Sequence, residues 1–160
     1  MNLLRKIESN NAPKAIGPYS PAVKLGDFVY LSGQLGMGSD GVLVSDDVVE
    51  QTHQAMKNIG SILAEVGLTY RHIVKTTVFV KDMNDFAKVN EVYGSYFVEG
   101  VYPARSCVEV ARLPKDAKVE IECMVLDTLV YEQQYMAHQC GGCGGGCGDS
   151  CDDGCCGGCE

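Results

Sequence analysis

The sequence YPARSCVEVARLPKDAKVEIE, residues 102–122, decides the fold prediction because its side chains alternate in character, residue by residue, in two runs separated by a break. Successive side chains of a β-strand point to opposite faces, so this alternation predicts strands over residues 105–111 and 119–128. The break falls at residues 113–116 and contains a proline, which interrupts strand pairing. We therefore expect two strands, joined by a short connection, at the end of the folded body.

Further strands and two helices are expected upstream of this stretch. Strands are predicted over residues 2–8, 22–25, 28–32 and 72–81, and helices over residues 45–66 and 84–98. Each helix carries an apolar stripe at spacings of three and four, and the aromatic stripe of the second indicates a core face rather than a cofactor site. The order β-β-β-α-β-α-β-β predicts an α+β sandwich, a mixed sheet with two helices on one face. The other face is expected to be covered by further copies of the chain in a closed symmetric oligomer.

Composition narrows the classes of function. The chain has 160 residues, 46% of them hydrophobic, which fits one globular domain followed by a tail. Its net charge of −8, without a basic cluster, argues against a nucleic-acid partner. No apolar run reaches membrane-spanning length, and residues 1–8 lack the continuous apolar region of a signal peptide. We therefore expect a cytoplasmic protein with no membrane partner.

Charged and nucleophilic residues interrupt the two final strands. Arg105 and Glu120 fit two interpretations equally from the residues alone: a cross-strand ion pair, or a site in which the arginine fork binds a carboxylate and the glutamate handles water. Cys107 suggests a nucleophile, but no base can be placed beside it, so a small wall residue is the favoured interpretation. His53, alone in its helix, is expected to be structural.

Four segments of the chain, taken in order, resemble the Rid (YjgF) family of enamine/imine deaminases. They are AIGPYSPAV, VYLSGQ, IVKTTVFVKDMNDFAKVNEVY and PARSCVEVARLPKDAKVEIE, and the resemblance extends over about residues 11–127. It implies a chorismate-mutase-like α+β sandwich that assembles as a homotrimer. In that assembly the sheets form an inner barrel, and ligand clefts lie between subunits.

The same resemblance implies cofactor-independent hydrolysis of 2-enamino and 2-imino acids, such as 2-aminoacrylate and 2-iminobutyrate, to 2-keto acids and ammonia. By matching position, Arg105 would hold the substrate carboxylate and Glu120 would orient or activate the attacking water. The remaining residues implied to line the cleft are Tyr19, Ser32, Asn90 and Cys107. The loop Leu35-Gly36-Met37-Gly38 departs from the apolar residue and proline of many relatives, which affects the expected substrate range more than the reaction. The alternative is a module that binds small carboxylates without turnover.

The end of the chain differs sharply in composition. Residues 1–128 are predicted to form the deaminase domain, residues 129–139 a linker or short helical extension, and residues 140–160 a flexible tail of Cys, Gly and Asp. Seven of the nine cysteines lie in this tail: Cys140, Cys143, Cys147, Cys151, Cys155, Cys156 and Cys159. Such thiolates could bind zinc, copper(I) or an iron–sulfur cluster, or act as redox-active thiols, or the tail could be a simple appendage.

Overall fold

A computed structural model describes the backbone of residues 3–140 and the side chains of residues 3–136. The principal elements follow the predicted order and are followed by one more helix. The elements are β1 (Arg5–Ile7), β2 (Ala22–Leu25), β3 (Phe28–Leu35), α1 (Val48–Ala64), β4 (Ile73–Val80), α2 (Phe86–Gly94), β5 (Ala104–Glu109), β6 (Val119–Leu126) and α3 (Leu129–Cys140). The prediction of an α+β class with a mixed sheet is confirmed.

The six strands form one sheet in the order β1-β2-β3-β6-β4-β5. The pairings are antiparallel except for β4 and β5, which run parallel. Strand β5 is therefore the outermost strand at one end of the sheet, and β4 separates it from β6. The two strands of the 102–122 stretch are consequently not neighbours.

Helix α1 supplies much of the core on one side of the sheet. Its side chains Met56, Ile59, Ile62 and Leu63 are fully buried, and the helix packs against β3, β6 and α2. Burial of such a stripe contributes roughly 1.5–3 kcal/mol for each large side chain. The helix lies within the predicted range 45–66, and Asp47 precedes it in an extended conformation.

The opposite face of the sheet is open in the single chain. Alternate residues of β4 and β6 are buried under the helices, whereas Tyr30, Val74 and Val108 are 46%, 40% and 42% exposed. Lys75 and Glu122 lie on this face as well, aligned with Met124 and Thr77 of the neighbouring strand. The sheet therefore has one covered face and one face that is partly apolar and accessible.

The second helix is shorter than its predicted range of 84–98. A single helical turn at Met83–Asp85, capped by the side chain of Asp82, precedes α2, and the helix ends at Gly94. Helix α3 belongs to a second unit that begins at Leu129, so this part of the linker range is helical. No helix among the described residues is long and apolar enough to cross a membrane.

Candidate functional site

Glu120 lies on the open face of β6, at the edge of a cavity of about 340 Å³. Its chain neighbours Val119 and Ile121 are fully buried on the helix side, so alternation directs Glu120 the other way. The residues that line this cavity come from the loop before β2, the end of β3 and the turn before β6. They are Pro13, Lys14, Ile16, Tyr19, Pro21, Ser32, Gly33, Gln34, Leu35, Met37, Pro114 and Glu120.

An irregularity in β3 creates the room for the Glu120 side chain. The register between β3 and β6 shifts between Leu31 and Gln34. Within that bulge, the Ser32 hydroxyl donates a hydrogen bond to the Ser20 carbonyl at 2.7 Å, which ties the strand to the preceding loop. A Cβ on Gly33 would lie 2.6 Å from Glu120 Cδ, closer than carbon atoms approach one another. The absence of a side chain at Gly33 therefore allows Glu120 to occupy its present position.

The electrostatics of Glu120 favour its protonated form relative to a free glutamate. Burial, and secondarily the neighbouring Glu122, raise the pKa of Glu120 above its ordinary value of 4.5. No ion pair joins Glu120 to a cation among the residues that the structure describes. A half-buried carboxyl without a paired cation holds a proton more tightly than a free one, which makes Glu120 a candidate to carry a proton during a reaction.

Arg105 lies on the helix side of β5, held against aromatic rings of α2. It is aligned with Thr76 of β4, and Thr76 is aligned in turn with Cys123 of β6, which is buried under the helices. The guanidinium carbon of Arg105 lies 4.8 Å from the centroid of Tyr93 and 5.7 Å from that of Phe86. These distances are within the range of cation–π interactions.

A second cavity, of about 420 Å³, opens beside Arg105. Its lining consists of Asn90, Tyr93, Gly94, Tyr102, Pro103 and Arg105. The buried Oδ1 atom of Asn90 has no hydrogen-bond partner among the described residues. This second cavity therefore offers the cation of Arg105 to a small polar ligand, with the Asn90 side chain in its wall.

The structure separates Arg105 and Glu120 within one chain. They lie on opposite faces of the sheet, and β4 intervenes between their strands. The interpretation as a cross-strand ion pair is therefore wrong for the single chain. Each charged group faces its own cavity, and each cavity contains part of the predicted site.

Three of the four other predicted site residues line one of the two cavities. Tyr19 and Ser32 line the Glu120 cavity, whereas Asn90 lines the Arg105 cavity. Cys107 is a free, half-buried thiol two residues along β5 from Arg105. Burial raises the pKa of the Cys107 thiol despite the opposing effect of Arg105, so the thiolate is disfavoured, and Cys107 lines neither of the two cavities.

His53 has a structural contact rather than a place in either cavity lining. Its Nδ1 atom shares a hydrogen bond of 3.0 Å with the Tyr96 hydroxyl. Sequence reasoning assigned Tyr93 and Phe86 to the core alone and missed their contact with Arg105. It also did not identify Gly33 as part of the site. The available signal was that Gly33 lies between Ser32 and Gln34 in LSGQ, within one of the segments that resemble the family.

Metal ligands are not clustered in the described part of the chain, where no group of three or more His, Cys, Asp or Glu residues could hold an ion. The predicted thiolate ligands from Cys143 to Cys159 lie outside the described residues. Cys140 is the last residue of α3.

Comparisons with known proteins place the chain in a family. Residues 9–126 match the family model described as Endoribonuclease L-PSP. A protein of Salmonella typhimurium named 2-iminobutanoate/2-iminopropanoate deaminase is 50% identical over 124 residues, which cover 76% of this chain and 97% of the relative.

Solved structures agree with this match. A Rid-family protein of unknown function from Yersinia pestis has a TM-score of 0.74 at 46% identity and covers 77% of this chain and 98% of its own. E. coli TdcF with bound serine has a TM-score of 0.72 at 45% identity, with coverage of 76% and 98%. The chain therefore belongs to the Rid (YjgF) family.

Proposed function

We propose that the protein hydrolyses reactive 2-enamino and 2-imino acids to 2-keto acids and ammonia. The observation that carries this proposal is the pair of charged groups, Arg105 and Glu120, each facing a cavity without an opposite charge paired to it among the described residues. A half-buried charge without a partner costs free energy, and a ligand that supplies the missing partner explains why such charges are present here. A small α-carboxylate with a reactive C=N bond suits both groups.

The complete site requires two copies of the chain. We infer a homotrimer in which the open sheet faces form an inner barrel and the Arg105 cavity of one subunit joins the Glu120 cavity of the next. Two features support this arrangement: the exposed apolar residues of the open face, and the place of β5 as the outermost strand. A molar mass of three chains by light scattering would support it, and a monomer would contradict it.

The chemistry follows from these positions. Arg105 would bind the substrate carboxylate through two parallel hydrogen bonds. Protonation of the enamine carbon, by Glu120 or by water, gives the imine. Glu120 would then take a proton from water as its oxygen adds to the C=N carbon, and would deliver that proton to the nitrogen to give a carbinolamine. Transfer of the remaining hydroxyl proton to the nitrogen, again through Glu120, would form the C=O bond as the C–N bond breaks and ammonia leaves. The sum is imino acid plus water giving keto acid plus ammonia, without a change of oxidation state.

Positioning accounts for much of the acceleration required. These imines react with water unaided, so holding one water against a clamped carbon lowers the barrier sufficiently. Tyr19 and Ser32 would line the water side of the cleft, with Asn90 and Cys107 on the carboxylate side. This reaction has no step that requires a metal or an organic cofactor.

The relatives support a small amino-acid-like substrate. The Salmonella protein is named for 2-iminobutanoate and 2-iminopropanoate, and TdcF was solved with serine, which carries an α-carboxylate and a nitrogen on the adjacent carbon. The family model is named for an endoribonuclease, but the net charge of −8 is unfavourable for a polyphosphate substrate. We therefore favour the imino acid, with the cytoplasm as the expected compartment.

The direct test is keto-acid release from 2-iminobutyrate generated by a threonine dehydratase. The wild-type protein should accelerate release, Arg105→Ala should abolish the acceleration, and Arg5→Ala, an exposed arginine of β1, should retain it. Equal rates for Arg105→Ala and wild type would overturn the assignment. Calorimetric binding of 2-oxobutyrate without any acceleration would favour the alternative, a carboxylate-binding module.

We propose a separate role for the cysteine segment, which lies outside the described residues beyond Cys140. Seven cysteines occur between residues 140 and 159, five of their six gaps having CxxC or CxxxC spacing. Thiolates at such spacings bind soft or borderline metals or undergo reversible oxidation. The segment is therefore a metal-binding or redox-active addition to the catalytic body.

A further inference from the structure

The Arg105 guanidinium lies against a platform made by the rings of Tyr93 and Phe86, both from α2. Its carbon is 4.8 Å from the Tyr93 centroid and 5.7 Å from the Phe86 centroid. Stacking occupies the flat face of the guanidinium, whereas its five N–H donors lie in its plane. The donors therefore remain available toward the cavity of about 420 Å³ that Arg105 lines.

Tyr93 is itself fixed firmly in place. It is 4% exposed, and its hydroxyl forms a hydrogen bond of 2.8 Å with Thr76 Oγ1, an atom of a residue that is 1% exposed. Thr76 is the residue of β4 aligned with Arg105 in the sheet. The pair of strands β4 and β5 thus positions both the backbone of Arg105 and the Thr76 hydroxyl. That hydroxyl orients the Tyr93 ring against the Arg105 side chain.

The platform leaves the positive charge of Arg105 uncompensated. No carboxylate among the described residues forms an ion pair with Arg105. A carboxylate partner would hold the arginine in place, but it would also compete with a substrate carboxylate for the same donors. Aromatic rings hold the cation without occupying those donors.

We propose that Tyr93 is a positioning residue for substrate binding: its ring, anchored by Thr76, presents the Arg105 fork to the α-carboxylate of the substrate. Phe86 contributes a second, more distant ring contact to the same guanidinium. This inference rests on the proposed function, because it assigns Arg105 the role of carboxylate clamp. It predicts that the ring contributes to carboxylate affinity rather than to the chemical step at Glu120.

The test compares Tyr93→Leu with Tyr93→Phe, using 2-oxobutyrate as a stable carboxylate probe and 2-oxobutyramide as its neutral counterpart. Loss of the ring should weaken 2-oxobutyrate binding and raise KM for 2-iminobutyrate by about 5- to 30-fold, with kcat changed less than about threefold. Tyr93→Phe, which keeps the ring but loses the hydrogen bond to Thr76, should raise KM less than Tyr93→Leu does, and amide binding should not change in either variant.

Controls separate this inference from the proposed function and from a general loss of structure. Tyr96→Leu removes an aromatic ring of the same region that does not contact Arg105, and it should leave KM unaltered. If Tyr93→Leu does not fold, Phe86→Leu, at a 38% exposed position, should raise KM about two- to fivefold. The positioning role would be overturned if Arg105→Ala loses binding but KM is unchanged in Tyr93→Leu, or in Phe86→Leu as its substitute. The proposed function would still stand after that result. Unchanged binding and rate in Arg105→Ala would overturn the function itself.

Discussion

Gly33→Ala is the sharpest perturbation of the Glu120 cavity that the fold permits. An added Cβ would overlap Glu120 Oε1, its nearest neighbour, and would lie 2.6 Å from Glu120 Cδ and 2.8 Å from its Cγ. Nonbonded carbon atoms are stable at about 3.5–4.0 Å, so the Glu120 side chain must move by at least roughly 1 Å. The atoms that move belong to a side chain with three rotatable bonds, so we expect the backbone to keep its conformation.

The expected effect is a loss of rate without a loss of fold. A displacement of about 1 Å in a catalytic group costs on the order of 100-fold in rate, or about 2.7 kcal/mol of transition-state stabilisation. We therefore predict that kcat for 2-iminobutyrate falls by roughly 100-fold in Gly33→Ala, while the affinity for 2-oxobutyrate, set by Arg105, changes by less than about threefold.

The assay is steady-state keto-acid release, with thermal unfolding measured on the same preparations. Gly38→Ala is the matched control because its added Cβ meets only the Asp40 side chain, and it should retain wild-type kcat. A folded Gly33→Ala protein with wild-type kcat would refute the reasoning, since Glu120 would then not need its present position. A fall in kcat in Gly38→Ala of the same size would refute it as well.

Three further predictions concern charge and the cysteine segment. Burial and Glu122 raise the pKa of Glu120, so kcat should fall as the pH drops through that raised pKa. Glu122→Gln should move this fall in kcat to lower pH, whereas the control Glu50→Gln should not. An unmoved pH profile in Glu122→Gln would contradict the coupling between the two carboxyls. Because the pKa of Glu120 is higher in the folded state than in the unfolded state, the free energy of unfolding falls as pH rises through the interval between these two pKa values. Glu120→Gln should therefore unfold at a higher temperature than wild type at pH 7 while losing activity. A lower unfolding temperature in Glu120→Gln would contradict this prediction. Anaerobically purified full-length protein should contain more metal, or more reversibly oxidised thiol, than a chain ending at residue 139, with unchanged kcat. Equal metal content together with an equal amount of reversibly oxidised thiol per chain would refute the proposal.

Local patterns predicted the elements of this fold well. Period-two alternation places Arg105, Cys107 and Glu109 on one face of their strand, and the sheet aligns them with Thr76, Val78 and Val80 of β4, which are buried under the helices. The apolar stripe of α1 identified the face that is buried. Both follow from geometry within a single element. The end of α2 at Gly94 was predicted less well, because the aromatic residues of the next turn continue the same apolar pattern.

The order of the strands could not be predicted from such patterns. Placement of β4 between β5 and β6 depends on pairing between distant residues, such as Thr76 with Arg105 and with Cys123. That order is what separates Arg105 from Glu120. Tyr93 shows the same limit: its spacing indicated a core residue, which it is, while its contact with Arg105 exists only in the assembled sheet.

The central claim is that Arg105 of one chain and Glu120 of another form a single site, and subunit mixing tests it most directly. Arg105→Ala and Glu120→Gln should each be inactive alone. Unfolding them together at equal amounts and refolding should produce about three quarters mixed trimers. Each mixed trimer has one site in three that pairs an intact Arg105 with an intact Glu120, which is about a quarter of all sites. We predict recovery of about a quarter of the wild-type activity. Mixed trimers, verified by mass, that show only the average of the two inactive variants would contradict the account.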